Sequence, residues 1–103
     1  MRNRNTNGQD WRQDQIDAVW KKAKPILGYS PNEYRRDVCG GIIRYTEYGN
    51  EKSEWGWEID HIKPTVIGGD DELTNLQALN WQNNKVKGND YPSYTYAVKH
   101  VNV

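Results

Sequence analysis

The chain contains a single cysteine, Cys39, among 103 residues, and this limits how its fold can be stabilised. One thiol cannot form an intramolecular disulfide, and a zinc site built from cysteine pairs needs more thiols than the chain has. The length corresponds to one small domain, whose core is necessarily small. The sequence therefore predicts a domain without structural zinc, held together by packing and hydrogen bonds.

Aromatic residues are expected to supply much of that core. Apolar residues make up 35% of the chain, but five tryptophans and seven tyrosines are among them. Each aromatic side chain buries a large area, so a few of them can fill a thin core. The charged fraction of 27% is typical of globular domains, so we expect a folded chain.

The N-terminal part of the chain predicts one amphipathic helix. Residues 1–9 are rich in asparagine and arginine, and we expect a flexible N-terminus there, followed by a single domain over 10–103. Asp10 and Gln13 fit a helix N-cap and its capping box. Pro25 should end the helix. Apolar residues at the spacing of one buried helix face follow the cap, namely Ile16, Val19, Trp20 and Ala23.

Three further stretches predict strands. Residues 42–45 and 76–79 contain short apolar runs, and residues 55–62 place apolar side chains at alternate positions. The strand over 55–62 should end near His61, because Pro64 cannot donate a hydrogen bond in a β-ladder.

A short helix is predicted directly after the last of these strands. Asn80 can cap a helix over 81–87, and Gly88 stands where a left-handed C-cap belongs. From residue 55 onward, the order is therefore strand, loop, strand, helix. Together with the N-terminal helix, this order predicts an α+β fold.

Several short motifs follow one another in this second half of the chain. They are Asp60-His61 with Pro64, then Gly68-Gly69, then Asn75-Leu76-Gln77, and finally Asn84 with Lys87-Gly88. His61 precedes Asn75 by 14 residues, and Asn75 precedes Asn84 by nine. In this order and at these spacings, the motifs resemble the HNH endonuclease family, in the branch whose third motif residue is asparagine. They are most similar to small stand-alone HNH nicking endonucleases of bacteria and phages.

The resemblance implies a ββα-metal core over about residues 55–90, with the N-terminal helix packed on it, and a role for each motif residue. His61 is implied as the general base. Asp60 and Asn84 are implied as the protein ligands of one divalent cation, Mg²⁺ or Mn²⁺. Asn75 is implied as the residue that tethers the loop and so orients the histidine.

Two neighbours of these residues are also candidates for the site. Asn83 is a rival for the second ligand position, although Asn84 fits the family pattern better. Glu58 could support one of the metal ligands. Many HNH proteins carry two cysteine pairs that bind a structural zinc ion, and this chain departs from that pattern.

The implied residues suit phosphodiester hydrolysis on chemical grounds. The reaction needs an attacking water, a base to deprotonate it, and a cation to stabilise the charge on the phosphate. A neutral imidazole, with an ordinary pKa of about 6.5, suits the base, and carboxylate and amide oxygens suit Mg²⁺ or Mn²⁺. Neighbouring strand residues point to opposite faces, so Asp60 and His61 can share a site where the strand ends.

Charge is distributed unevenly along a chain whose net charge is +0. Residues 1–36 carry a net charge of +4, residues 37–72 carry −6, and residues 73–103 carry +2. An acidic middle between basic flanks suits a cation site beside a surface that binds the phosphates of double-stranded DNA. The candidate contacts to the DNA backbone are Lys87, Lys63, Arg35, Arg36 and Arg44.

A single site of this kind cuts one strand, so we expect a monomeric nickase. The resemblance implies that its products carry 5′-phosphate and 3′-hydroxyl ends. The segment over 94–101 alternates weakly and could instead pair with another chain. No apolar run suits a signal peptide or a membrane span, so a bacterial or phage-encoded protein of the cytoplasm is expected. The alternatives are a non-catalytic nucleic-acid-binding module on the same fold and a nuclease toxin or effector.

Overall fold

The structure, a computed structural model, describes residues 2–101 and contains two α-helices and five β-strands in that range. In chain order they are α1 (Gln13–Trp20), β1 (Lys24–Pro25), β2 (Tyr34–Arg36), β3 (Ile42–Arg44), β4 (Trp57–His61), β5 (Leu76–Asn80) and α2 (Trp81–Lys87). Met1 of the predicted N-terminal segment and residues 102–103 of the predicted domain lie outside the described residues. Neither α1 nor α2 is long and apolar enough to cross a membrane.

The strands form two antiparallel sheets. The strands β1, β2 and β3 make one sheet, and β4 pairs with β5 from Trp57 opposite Asn80 to His61 opposite Leu76. Helix α2 follows β5 without a break, so β4, β5 and α2 form a ββα unit. Helix α1 packs against β5, and the α+β fold class predicted from the sequence is confirmed.

Tryptophan side chains dominate the core, which lies between α1 and the β4–β5 pair. Trp57 is fully buried, with its ring centroid 5.2 Å from that of Trp20 and 5.0 Å from that of Tyr48. The prediction that aromatic residues build the core is therefore confirmed. The buried core cluster consists of Trp11, Ile16, Val19, Trp20, Ile43, Trp57, Ile59, Leu76 and Ala78.

Helix α1 is shorter at both ends than the sequence predicted. Its N-cap is Arg12, not Asp10, and the backbone N–H of Arg12 donates to the Gln15 side chain at 3.0 Å. Trp11 is buried in the core just before the helix, and the chain turns into helical geometry after this anchor. Pro25 lies beyond the helix in the edge strand β1, where a missing N–H is tolerated.

The ββα unit follows its predicted boundaries more closely. The Asn80 side chain caps α2 by accepting a hydrogen bond from the Gln82 backbone N–H at 3.0 Å, as predicted. Gly88 has a positive φ of 53°, but its ψ of −125° lies outside the left-handed helical region that was predicted. The earlier strand β3 is one residue shorter than predicted, because the chain enters a 3₁₀ turn over Tyr45–Glu47.

A buried carboxylate connects the three-stranded sheet to the ββα unit. Asp37 is 4% exposed, and both of its oxygens accept two hydrogen bonds each. The donors are the backbone N–H groups of Cys39, Gly41 and Asn80 and the side-chain amide of Asn83, at 2.7–3.0 Å. Burial raises the pKa of the Asp37 carboxyl, and these hydrogen bonds act in the opposite direction. The carboxylate thus fixes the start of α2 against the loop before β3.

The segment over 94–101 packs against its own domain. The Asn83 side-chain oxygen Oδ1 accepts hydrogen bonds from the backbone N–H groups of Ala97 and Val98, at 2.8 and 2.7 Å. His100 Nδ1 accepts a hydrogen bond from the Ile42 backbone N–H at 2.8 Å. From its sequence, this segment could have paired as a strand with another chain. In the structure, some of its backbone N–H groups are already hydrogen-bonded within the same chain.

Candidate active site

A polar cleft of about 280 Å³ opens at the end of β4. Asp60 and His61 line it from β4, and Asn84 lines it from α2. Arg2 and Asn3, from the segment before α1, form another part of its wall. The structure therefore places the predicted base and both predicted metal ligands around one cavity.

Asp60 and His61 share this cleft because β4 ends at His61. The next residue, Ile62, donates its N–H to the Asn75 carbonyl oxygen at 2.8 Å, outside the regular ladder. The His61 ring packs beside the Trp11 ring, with centroids 5.4 Å apart. Departure from the strand at this residue lets two consecutive side chains reach the same cavity.

Asp60 is a buried carboxylate held by two side chains. One oxygen, Oδ2, accepts a hydrogen bond from Gln77 Nε2 at 2.9 Å. The Lys87 ammonium lies 3.3 Å from the same oxygen and 3.4 Å from Oδ1. Burial raises the pKa of the Asp60 carboxyl, and the contacts with Gln77 and Lys87 oppose that rise.

Asn84 is oriented by Glu58. The Asn84 amide nitrogen donates to Glu58 Oε1 at 3.0 Å, and both side chains are buried. Burial raises the pKa of the Glu58 carboxyl, while the hydrogen bond from Asn84 lowers it. Because the amide nitrogen faces Glu58, the amide oxygen of Asn84 is directed away from it. No hydrogen-bond donor contacts that oxygen within residues 2–101, and Asn84 lines the cleft.

These donors fit a small, hard divalent cation. Asp60 offers a carboxylate oxygen and Asn84 an amide oxygen without a partner, and Mg²⁺ and Mn²⁺ prefer such ligands. Two protein ligands would leave positions open for phosphate and water. Within the described residues, no cluster of three or more histidine, cysteine, aspartate or glutamate side chains could hold a metal ion.

Asn83, the rival ligand, is engaged elsewhere. Its side chain is fully buried and hydrogen-bonded to Asp37 and to the backbone of residues 97–98. These contacts use the amide nitrogen and the carbonyl oxygen together. The geometry therefore favours Asn84 over Asn83 for the cation, although the ligand role itself stays a prediction.

Asn75 ties together the loop that follows His61. Its amide nitrogen donates to the carbonyl oxygens of Lys63 and Asp70, at 3.1 and 2.9 Å. Its side-chain oxygen Oδ1 accepts from the Lys63 N–H at 2.8 Å. This is the geometry that a tether for the histidine requires, and the contribution of Asn75 to catalysis stays a prediction.

The Gly68-Gly69 pair is explained by the shape of the same loop. Gly68 has a φ of 97°, which a residue with a side chain rarely adopts. Gly69 donates its N–H to the Pro64 carbonyl oxygen at 2.9 Å. A Cβ atom on Gly69 would lie 1.6 Å from the Lys63 carbonyl oxygen, so the backbone would have to move.

Replacing Gly69 with alanine should destabilise the protein by about 1–3 kcal/mol or more, because the clash is with backbone atoms. The matched control is Gly88→Ala, where no atom lies within 4 Å and the backbone conformation alone should cost about 1–3 kcal/mol. Urea unfolding of both variants measures the two free energies. A Gly69→Ala variant as stable as the wild type would contradict this account of the loop.

The five predicted DNA contacts occupy different environments. The Lys87 side chain is fully buried, with its ammonium 3.2 Å from the His61 carbonyl oxygen as well as beside Asp60. Lys63 is exposed on the loop after β4. Arg35, Arg36 and Arg44 lie in the three-stranded sheet and do not line the cleft.

The three arginines also have partners within the chain. Arg35 donates to the carbonyl oxygens of Pro31 and Ala23, both at 2.9 Å. Arg36 donates to the Gly40 carbonyl oxygen at 2.8 Å, and Arg44 lies 3.3 Å from Glu33. Their roles in DNA binding stay predictions, as do those of Lys63 and Lys87.

Sequence reasoning missed the N-terminal segment and Asp71. The segment over 1–9 was expected to be flexible, yet from Arg2 onward it contacts the domain. The Asn3 side chain accepts hydrogen bonds from the Ile59 N–H at 2.8 Å and from the Tyr48 hydroxyl at 3.0 Å. Asp71 lies 2.8 Å from His61. An Asn-rich leader and a Gly-Gly-Asp-Asp loop carry no local pattern that would reveal these contacts.

Comparison with known families gave a match that covers the ββα unit. Residues 47–90 match the family model described as HNH endonuclease, which confirms the resemblance drawn from the motifs for this part of the chain. Nucleases with this domain act on DNA and generally use a divalent metal ion. A search of curated proteins and a search of solved structures each gave no match.

Proposed function

We propose that this protein is a divalent-metal-dependent endonuclease that hydrolyses DNA phosphodiester bonds and nicks one strand. The observation that supports it most is the meeting of Asp60, His61 and Asn84 at one cleft, although α2 lies well beyond β4 in the sequence. A non-catalytic module would have no need for a base and two hard ligands around one cavity.

Each side chain has a defined task in this proposal. Asp60 and Asn84 would hold one Mg²⁺ or Mn²⁺ ion. When bound, such an ion stabilises the negative charge that develops on the phosphate and on the leaving oxygen. His61 removes the proton from the attacking water, and the products carry 5′-phosphate and 3′-hydroxyl ends.

In addition to its predicted contact with DNA, Lys87 is placed to stabilise the Asp60 carboxylate. Its ammonium is fully buried between Asp60 and the His61 carbonyl oxygen, with the Tyr94 ring centroid 5.3 Å away. A buried carboxylate is costly unless it is paired. We infer that Lys87 keeps Asp60 ionised and in place, so that the carboxylate is ready to bind the cation.

Nicking follows from the presence of one such cleft in the ββα unit. One base acts on one scissile phosphate, so a single chain cuts one strand in each binding event. We propose double-stranded DNA as the substrate and a monomer as the active form. Lys63 is exposed and precedes Pro64, which lines the cleft, so we propose Lys63 as a contact to a phosphate.

Supercoiled plasmid provides the test. With Mg²⁺ or Mn²⁺, we expect conversion to open circles first, with linear DNA appearing later as nicks accumulate. With EDTA in place of the metal, the plasmid should stay supercoiled. Linear DNA appearing at once would rule out the nickase. DNA binding without cleavage, with either ion, would favour the non-catalytic module.

A further inference from the structure

His61 is paired with a carboxylate that the motif does not include. Its Nε2 atom lies 2.8 Å from Asp71 Oδ1, and the two side chains are 11% and 29% exposed. Asp71 lies in the loop between β4 and β5, after the Gly68-Gly69 pair. No other described residue forms a hydrogen bond with the His61 ring, which leaves Nδ1 without a partner within residues 2–101.

Asp71 is itself held by the N-terminal segment. The Thr6 backbone N–H donates to both carboxylate oxygens, at 3.1 and 3.2 Å, and the Thr6 hydroxyl donates to Oδ2 at 2.8 Å. Burial alone would raise the pKa of the Asp71 carboxyl, but the hydrogen bonds from His61 and Thr6 outweigh it and hold that pKa below its usual value. The carboxylate is therefore ionised at neutral pH.

An ionised carboxylate can only accept hydrogen bonds, and this fixes the proton of the neutral imidazole. The hydrogen bond to Asp71 requires the proton on Nε2, so the lone pair lies on Nδ1. The Trp11 ring packs beside the imidazole and limits its rotation. His61 lines the cleft and Nε2 is engaged by Asp71, so we infer that Nδ1 is the ring nitrogen available to a water there.

We propose that Asp71 is a positioning residue that holds His61 in the Nε2-protonated form, with Nδ1 as the atom that accepts the proton of the attacking water, and that Thr6 braces Asp71. The Nδ1 part of this assignment rests on the proposed nuclease function. The pairing of Asp71 with His61 does not, because it concerns the resting protein.

The loop does not depend on Asp71 for its shape. Asn75 already ties Lys63 to Asp70 through three hydrogen bonds, and Gly69 closes onto Pro64. Asp71→Asn is therefore expected to fold. An asparagine can accept from Nε2–H or donate to an unprotonated Nε2, so it no longer selects one form of the imidazole.

The control is Asp70→Asn on the neighbouring residue. Asp70 is exposed, and its side chain accepts one hydrogen bond, from the Glu72 N–H at 3.2 Å. It does not contact His61. The substitution removes the same charge from the same loop, so a general effect of charge would appear in both variants.

Nitrogen-15 NMR of the histidine rings tests the pairing in metal-free protein without DNA, at a pH where imidazole is neutral. We expect His61 to be protonated on Nε2 in the wild type and in Asp70→Asn, and to be a mixture of both forms in Asp71→Asn. His100 is an internal reference, because its Nδ1 accepts from the Ile42 N–H and its proton must also lie on Nε2. A wild-type His61 protonated on Nδ1, or an unchanged signal in Asp71→Asn, would overturn the proposal.

Cleavage kinetics test the consequence. We expect Asp71→Asn to lower kcat by about 10–100-fold with little change in KM, as loss of a partner that orients a histidine does elsewhere. Thr6→Val, which removes the hydroxyl donor alone, should have a smaller effect of the same kind. An unchanged kcat in Asp71→Asn would overturn the positioning role. If the wild type does not cleave DNA but shows the expected NMR signal, the nuclease proposal fails and the pairing stands.

Discussion

Replacing His61 with alanine should lower the rate of DNA cleavage by about 10²–10⁴-fold, which is the usual contribution of a general base. The reason is that no other imidazole lines the cleft, and the carboxylate of Asp60 would be engaged by the cation in the proposed site. The initial rate of conversion of supercoiled plasmid to open circles measures the loss.

Metal binding distinguishes a base from a ligand. Titration calorimetry with Mn²⁺ should give His61→Ala the affinity of the wild type, whereas Asp60→Ala should lose both affinity and cleavage. The control is His100→Ala, which changes the other histidine of the chain, outside the cleft. Equal losses of Mn²⁺ affinity in His61→Ala and Asp60→Ala would make His61 a ligand and contradict its role as the base.

Replacing Asp37 with alanine should lower the free energy of unfolding by about 3–5 kcal/mol. The change leaves four donors without an acceptor, and a buried unsatisfied donor costs about 1–3 kcal/mol. The removal of the costly buried charge offsets part of this loss. Small domains have total stabilities of about 5–15 kcal/mol, so this single change could leave much of the protein unfolded.

Urea unfolding followed by tryptophan fluorescence measures the effect. Asp37→Asn should lose less stability than Asp37→Ala, because its amide oxygen still accepts while its amide nitrogen faces two donors. Asp14→Ala, at an exposed carboxylate of α1, is the control and should leave stability nearly unchanged. An Asp37→Ala variant as stable as this control would show that the network does not fasten the two sheets together.

The sequence by itself determined the elements whose signals are local. Alternation and a following proline place β4, an asparagine cap places α2, and both agree with the structure to within two residues. The match of residues 47–90 to the HNH endonuclease family model could also be predicted, because the motif residues lie at fixed spacings within one continuous stretch. Helix α1 was less well predicted, since its start depends on the burial of Trp11 by distant parts of the chain.

The surroundings of the candidate site were decided by the tertiary structure. The Thr6–Asp71 contact joins residues 65 positions apart, and Lys87 reaches Asp60 across 27 positions. The residues of neither pair lie at a spacing that places them side by side on one helix or strand. The periodicity of the sequence therefore does not predict these contacts. The burial of Asp37 was also decided by the tertiary structure. A charged side chain is expected at the surface, and only the fold shows the four donors that allow this one to be buried. Such partners are set by the packing of the core, because a buried polar group is unfavourable unless it forms a hydrogen bond or an ion pair.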